Sequence, residues 1–326
     1  MHATPPLDDV RTAVALASTA PSVHNSQPWR FTWDGTHLDV REERSRAVPV
    51  LDPTGRERLL SIGAAVRTAR LGFAELGWAT TTTLLPDGEQ GDVLARLVAD
   101  GRRAVTPEEH ELALAAPRRA TDRDPYDTRP VPAGVVAAMT AAAEAEGAWL
   151  RVVQGADLVA LEVLLAHADD AQVADPHYTE ELASWRREDD AVGIPSRALP
   201  TVPARQRGSS LALRDFDGGR GSGPVDGLPL PEHPTVLALG TEQDTRRDWL
   251  VAGQALAAVL LRGTVEGIAA QPLTAVLEVP ATRARLDAAL AANGHVQMVL
   301  RAGYGTAGPA TPRLAVDQVL ELVAPS

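Results

Sequence analysis

Apolar side chains recur at alternating steps of three and four positions in several stretches of the chain, and this spacing predicts amphipathic helices. The clearest run places six apolar side chains on one face: Leu59, Ile62, Val66, Ala69, Phe73 and Leu76. Gly77 follows the run, and glycine is common where a helix ends. A shorter run over residues 7–17 predicts a first helix, which leads into a loop rich in polar side chains.

Strands are predicted where aromatic or β-branched residues cluster between turn residues. Trp29, Phe31 and Trp33 alternate with polar residues, and Asp34-Gly35 predicts a hairpin turn after them. Further strands are predicted over residues 78–85, 93–98, 149–153, 235–240 and 296–301. Helices are predicted over residues 132–147 and 245–266.

The chain contains an internal repeat. Residues 60–78 align without gaps to residues 250–268, and Gly63 and Gly253 are one of the identical pairs. Small residues at these two positions would let two helices approach closely, and paired central helices are expected at the two-fold interface of a fused dimer. A chance match between two alanine-rich amphipathic helices is the alternative.

We place the boundary between two halves at residue 116, so that residues 1–116 form the first half and 117–326 the second. Residues 193–234 contain seven glycines and seven prolines, a density that opposes regular structure. Long irregular segments inside a globular chain are usually lids, arms or disordered insertions. We therefore predict a lid or insertion at about residues 171–232.

Composition excludes several classes of function. The 326 residues leave room for a large core, and the net charge of −12, without a concentrated basic run, argues against nucleic acid as the main partner. The absence of cysteine excludes disulfides and thiolate chemistry, and the eight histidines show no metal-ligand spacing, so no metal is expected. With no signal-peptide pattern and no apolar run long enough for a membrane span, we expect a cytoplasmic protein without membrane contact.

The loop over residues 20–31 holds the most distinctive sequence: Ala-Pro-Ser-Val-His-Asn-Ser-Gln-Pro-Trp-Arg-Phe. Pro21 and Pro28 fix φ and stiffen both ends of a short stretch of hydrogen-bonding side chains. Such a loop suits a flat ligand rich in heteroatoms. The alternative is a capped helix-to-strand connection in which Ser22 and Asn25 bond only the backbone.

This loop resembles the flavin-contacting loop of the nitroreductase superfamily of FMN enzymes. Its fuller form is similar to the Acg-like branch, in which two nitroreductase halves are fused in one chain. The resemblance implies an α+β, nitroreductase-like fold whose two homologous halves mimic the family's homodimer. It also implies one FMN at the interface of the halves, with Pro21, Ser22, Asn25 and Gln27 at the edge of the flavin ring.

His24 is the position that marks the Acg-like branch within this loop. Three roles stay open for it: contact with the flavin, delivery of a proton to the substrate, or an ordinary loop histidine with its hydrogen bonds satisfied. His24 is therefore a candidate for the cofactor-binding residues and the one candidate for the catalytic residues.

The resemblance places the phosphate contacts on Arg119, Thr121, Arg123 and Arg313. The first three belong to a basic cluster that precedes an aromatic-Asp pair and a Pro-Val-Pro helix start, as in nitroreductases. Guanidinium groups match phosphate oxygens bidentately, which suits this role. Thr121 stands where the family usually has serine. The alternative is a solvated, charged loop.

The resemblance also places Glu266 and Gly267, at the end of the second repeat, beside the isoalloxazine, where the backbone reaches N5. An ordinary glycine helix terminus would explain Gly267, but an acid there opposes the helix dipole. The first half has Leu76 in place of Glu266 and no basic cluster. One FMN per chain follows, with the other pseudo-site degenerate.

The function implied is an FMN-dependent oxidoreductase. Hydride would pass from NAD(P)H to flavin N5 and on to a nitroaromatic, a quinone or a similar small acceptor. The alternative is a non-catalytic FMN-binding or sequestering protein whose lid closes the nicotinamide site. Trp185, within the predicted insertion, would cover the flavin or pack onto the other half. The chain is pseudo-dimeric, with a monomer as one option, and the substrate stays open.

Overall fold

The computed structural model describes residues 4–187, 191–199, 211, 214, 232–290, 294–305, 308 and 310–324. Much of the predicted lid, over residues 200–210, 212–213 and 215–231, lies outside the described residues. The described part combines helices with mainly antiparallel strands in two sheets, so the predicted α+β class is confirmed.

The first unit contains, in chain order, α1 (Leu7–Ala17), β1 (Trp29–Trp33), β2 (His37–Glu42), α2 (Arg56–Glu75), β3 (Trp78–Leu84), β4 (Val93–Arg102) and α3 (Pro107–Ala115). The strands β3, β4, β2 and β1 lie in this order in one sheet and pair antiparallel. α1 and α2 pack against this sheet, and Trp29, Phe31 and Leu38 are fully buried between the layers. The aromatic alternation of the first strand thus supplies the core.

The second unit contains α4 (Ala133–Glu144), β5 (Trp149–Val153), α5 (Ala156–Ala174), α6 (Pro176–Ser184), β6 (Thr235–Thr241), α7 (Arg246–Val265), β7 (Ala269–Pro272), α8 (Ala275–Glu278), α9 (Pro280–Leu290), β8 (His295–Gly303), α10 (Val316–Val319) and β9 (Leu320–Leu322). The order β5-β6-β8-β7 forms a second antiparallel sheet. The predicted strands and long helices are all present within a few residues of their expected bounds.

The two repeat helices form the centre of the molecule. Adding 190 to the bounds of α2 gives those of α7, and the two helices pack directly on each other. Most residues of both helices are buried, which explains why their apolar pattern runs round more than one face. The repeat predicted from the sequence is therefore a structural one.

The last strand crosses from the second half to the first. β9 pairs parallel with β1 and completes a five-stranded sheet, with Phe31 opposite Leu320. The division into residues 1–116 and 117–326 stays a prediction, but the second segment contributes this strand to the first sheet. The sequence of β9, which is three residues long, could not have shown that it pairs with β1, because the two strands lie far apart in the chain.

In the described part of the chain, no helix is long and apolar enough to cross a membrane. Within the same residues, no group of three or more His, Asp or Glu side chains is placed to hold a metal ion.

Candidate functional site

The loop between α1 and β1 has an unusual backbone. His24, Asn25 and Gln27 take positive φ angles of 49°, 53° and 50°. Such angles are uncommon for residues other than glycine and cost free energy unless the surroundings fix them. Strain of this kind concentrates at ligand sites, so the loop is a strong candidate for one.

Two side chains of the loop hold this backbone in place. The Asn25 Nδ2 donates to the carbonyl oxygens of Ala191 and Gly193, at 3.3 Å and 3.1 Å. The Gln27 Nε2 donates to the Ala191 carbonyl at 2.6 Å, and its Oε1 accepts from the Leu314 backbone at 2.9 Å. Both predicted ligand contacts therefore tie the loop to two distant segments of the chain.

Ser22 also makes a bond within the loop, since its Oγ accepts from the Gln27 backbone N–H at 3.0 Å. The alternative of a capped connection predicted that Asn25 bonds only the backbone. Its Oδ1 instead accepts from the Arg313 guanidinium at 2.8 Å, so this part of the alternative is wrong. Pro21, Ser22, His24 and Asn25 all line a cavity, whereas Gln27 is fully buried behind it.

We call this space the arginine cavity; its lining residues include Arg119, Thr121, Arg123 and Arg313, together with those four loop residues. All four predicted phosphate contacts thus meet at one place, although almost 200 residues of sequence separate Arg313 from Arg123. No acidic side chain is among the described residues that line the cavity.

The charges in the arginine cavity are poorly compensated. The Arg119 Nε is buried and has no hydrogen-bond partner among the described residues, and the same holds for the Arg313 Nε. Burial lowers the pKa of Arg119 to about 10. Burial and the charge of Arg119 lower the pKa of Arg313 to about 9. Two guanidiniums that repel each other without a nearby acid form a site suited to an anion.

Two of the three arginines of this cavity, Arg123 and Arg313, are anchored by backbone carbonyls. The Arg123 Nη1 donates to the Ala198 carbonyl at 2.8 Å. The Arg313 Nη2 donates to the carbonyls of Thr19 and Ala20 at 3.3 Å, where the loop begins. These bonds fix where the guanidiniums lie and leave the Nε of Arg313 for a ligand.

A second space, the central cavity, adjoins the arginine cavity and shares five lining residues with it: Pro21, Ser22, His24, Thr121 and Arg123. Leu60 and Ser61 of α2 form one wall, and Leu256 of α7 forms another. Residues 272–275, between β7 and α8, complete it. Empty space amounts to about 880 Å³, including open solvent at the mouth. Because both central helices line it, the cavity lies between the two halves.

His24 faces both cavities as a neutral imidazole. Its Nε2 is buried and has no partner among the described residues. Burial, followed by the charge of Arg214, lowers the pKa of His24 to about 3. At neutral pH the ring therefore offers a hydrogen-bond donor or acceptor without charge, and it does not act as a cationic acid.

Several lining residues escaped the sequence analysis, among them Glu57 and Arg214 of the central cavity. Arg214 pairs with Glu278, whose side chain is 1% exposed, and its Nη2 also donates to the Thr274 Oγ1 at 3.3 Å. Glu57 lies in the first turn of α2, where an acid is ordinary for a helix. Arg214 lies in a stretch without any pattern, so no signal pointed to it.

Glu266 and Gly267 lie elsewhere. They are exposed at the end of α7, line neither cavity, and Glu266 is 3.8 Å from Arg262 one turn earlier. Residues 272–275, at the end of β7 and the start of α8, line the central cavity instead. Pro272, which ends a buried strand just before a short helix, is the sequence signal that marks this turn.

Trp185 lines neither of the two cavities. It is 7% exposed and packs in a cluster with Val48 and Leu51 of the first half. Of the two roles predicted for it, packing onto the other half is the one found. The described residues of the predicted lid that reach the site are residues 191–199, which bond the loop, and Arg214.

Comparison with known proteins places the chain in a family. No family model matches it. A protein of Mycobacterium tuberculosis strain H37Rv, assigned provisionally by its name to the NAD(P)H nitroreductases, is 37% identical over 325 residues, covering 97% of this chain and 92% of the relative. The chain belongs to the nitroreductase superfamily. A second nitroreductase relative from that strain, named Acg, is 30% identical over 328 residues, which cover 97% of this chain and 96% of the relative. The Acg-like nitroreductase resemblance of the loop is therefore confirmed, as is the fused two-half fold.

Solved nitroreductase structures resemble the chain more distantly. An FMN-bound nitroreductase of Bacteroides fragilis is 18% identical with a TM-score of 0.38, covering 61% of this chain and 90% of its own. The FMN- and NADPH-dependent nitroreductase NfnB of Sphigopyxis sp. strain HMH is 18% identical with a TM-score of 0.40, covering 64% and 96%. The family assignment is independent of these two structures.

Proposed function

We propose that the chain is an FMN-dependent NAD(P)H oxidoreductase that binds one FMN between its two halves and reduces a nitroaromatic, a quinone or a similar small acceptor. The observation that carries the proposal is the arginine cavity. Arg119 and Arg313 both line it without an acid among the described lining residues, and the Nε of each lacks a partner among the described residues. A phosphate dianion would compensate both charges.

The residues present fit FMN. The arginine cavity would hold the phosphate, with Thr121 adding a hydroxyl. The five shared lining residues would border the ribityl chain, and the central cavity would hold the ring between Leu60 and Leu256. Apolar walls with few polar groups are typical of sites for flat cofactors. Gln271 and Thr274 supply amide and hydroxyl partners for the ring edge.

When bound, FMN would accept a hydride from the nicotinamide and pass electrons to the acceptor. The chain itself would bind, orient and shield. Neutral His24 would offer an uncharged hydrogen bond, and residues 272–275 would place backbone groups along the cavity. Glu266 and Gly267 would have no contact with the ring.

A second candidate function is FMN binding without turnover. Arg214, from the predicted lid, lines the central cavity and is held there by Glu278. A lid anchored in this way would limit access of NAD(P)H to the ring. The lid predicted at about residues 171–232 stays a prediction, and this contact supports it. Most of residues 200–231 lies outside the described residues.

Anaerobic reduction separates the two functions. The purified chain is loaded with FMN, and the flavin absorbance is followed after addition of NADPH, of NADH, or of dithionite as a control. Reduction by a nicotinamide at a rate that supports turnover with a quinone is expected. Reduction by dithionite alone would identify a binding protein, and failure to retain FMN would reject both functions.

A further inference from the structure

Glu57 lies in the wall between two cavities. Besides the central cavity, it lines an outer cavity on the other side of the first turn of α2, whose further lining residues include Asp52, Arg56, Asp244, Asp287 and His295. Exposed residues at this cavity, among them Thr54 and Ala284, give it contact with solvent. Of the described residues that line these two spaces, Glu57 is the one common to both.

Glu57 is 4% exposed, so bulk water reaches its carboxyl only through the two cavities that it lines. Its Oε1 accepts from the Arg56 guanidinium, which is held in turn by the Gln297 carbonyl at 2.6 Å. Its main-chain carbonyl accepts from the Ser61 Oγ at 2.8 Å, and that oxygen accepts from the Val23 backbone at 3.2 Å, next to His24. Glu57 is therefore fixed in position and tied to the loop of the site.

Charged groups surround Glu57 on every side. Arg56 from its own helix and Arg214 favour its ionised form, whereas Asp52 and Glu278 oppose it. Burial is the largest effect, and it raises the pKa of Glu57 to about 7. A carboxyl of this kind takes up and gives up a proton near neutral pH.

We propose that Glu57 is a proton carrier between solvent in the outer cavity and the acceptor reduced in the central cavity. The inference rests on the proposed function, because reduction of a quinone or nitro group consumes protons along with electrons. In the forward step the O–H bond of Glu57 breaks and its proton forms a new O–H bond on the reduced acceptor, whose electrons come from the nicotinamide through FMN. The carboxylate left behind then takes a proton from water in the outer cavity, which restores the acid.

The first test needs no turnover. Infrared difference spectra of the protein, with and without FMN, are recorded between pH 5 and pH 9. We expect a protonated-carboxyl band that disappears as the pH rises through about 7 and is missing from Glu57→Gln. Ala284→Trp, which narrows the mouth of the outer cavity, should slow the exchange of that proton into D₂O without changing FMN affinity. A band that never titrates in this range, or an unchanged exchange rate, would overturn the relay.

The second test measures the step itself. FMN-loaded protein is reduced with dithionite, so the outcome does not depend on nicotinamide, and is mixed with a benzoquinone in single turnover. The wild-type rate should fall as the pH rises above 7, whereas Glu57→Gln should be slower by about 10²-fold at pH 6 and independent of pH. Glu75→Gln, on the same helix near its other end, is the matched control and should behave as wild type.

The outcomes separate a failure of the proton relay through Glu57 from a failure of the proposed function. If Glu57→Gln retains FMN and reoxidises at the wild-type rate with the wild-type pH profile, the relay is wrong and the proposed function stands. If neither NADPH nor NADH reduces the flavin but the dithionite-reduced protein shows the predicted profile, the proposed function is wrong and the proton path is retained. A Glu57→Gln protein that does not fold leaves the wild-type infrared titration and Ala284→Trp to decide.

Discussion

A methyl group on Gly63 would lie 3.0 Å from the Cα of Gly253 and 2.2 Å from the carbonyl oxygen of Leu250. A methyl group on Gly253 would in turn lie 2.9 Å from the Cα of Gly63 and 2.1 Å from the carbonyl of Leu60. The two central helices therefore touch backbone to backbone at equivalent positions of the repeat. This contact sets the distance between the walls of the central cavity, because Leu60 and Leu256 lie beside it.

Gly63→Ala should destabilise the protein by about 1–3 kcal/mol or more, because the added methyl group meets backbone atoms that cannot turn away. The free energy of unfolding in urea measures this effect. Gly134→Ala is the control, since nothing lies within 4 Å of its Cβ position and alanine favours the helix. Equal stability of the two variants would mean that the central helices separate at little cost.

Arg119→Met should weaken FMN binding by about 1.5–3 kcal/mol, because it removes a charge-assisted contact to phosphate. The same change should leave the ligand-free protein as stable as wild type or more so, because the charge that it removes has no acid nearby. Flavin fluorescence titration and urea unfolding provide the two measurements.

Riboflavin lacks the phosphate and is the matched ligand for Arg119→Met, so its affinity should hardly change. Arg118→Met alters an exposed neighbour whose Nε bonds the Leu114 carbonyl and should affect neither ligand. Equal loss of FMN and riboflavin binding in Arg119→Met would show that Arg119 acts through the fold.

His24→Asn should make the protein less sensitive to acid. The pKa of His24 is lowered to about 3 in the fold from 6.5 in the unfolded chain, so between these values the unfolded chain binds more protons. Wild-type stability therefore falls as the pH falls through this window, by about 2 kcal/mol between pH 7 and pH 5. Asparagine tolerates the positive φ of this position and does not titrate.

Urea unfolding of both proteins at pH 7 and pH 5 gives the comparison. Glu57, with its raised pKa, contributes with the opposite sign, stabilising the fold as the pH falls, but it does so in both proteins. The difference between the two proteins therefore isolates His24. An identical loss in wild type and variant would place a charged, solvated imidazole at position 24.

Purified, flavin-saturated protein should contain one FMN per chain. Leu60 lines the central cavity, whereas its repeat equivalent Leu250 does not line it and is fully buried among core side chains. Glu146, in the second half where the Pro-Ser loop would be needed, is held by Arg67 at 2.7 Å and Arg70 at 2.6 Å. Released flavin is measured against protein concentration, and a ratio near two would show that both pseudo-sites bind.

The sequence by itself determined the elements and the identity of the site loop. Periodic apolar positions located α2 and α7, because helix periodicity is a local property of the sequence. Their ungapped repeat, which alignment of the chain with itself reveals, located the centre of the fold. The residues that meet phosphate in the proposal were also found, since guanidinium chemistry is recognisable in a motif. The assignment of Glu266 and Gly267 to the cavity was carried by the resemblance alone, and the structure places them outside it.

The tertiary structure decided which distant segments meet. Arg214 pairs with Glu278, β9 crosses to β1, and Glu57 separates two cavities, and none of these relationships leaves a local pattern in the chain. The functional state of a buried acid or histidine depends on desolvation and on charges brought from other segments. Both the desolvation and the neighbouring charges arise only after the chain has folded. Composition and spacing therefore could not have predicted the neutral state of His24 or the raised pKa of Glu57.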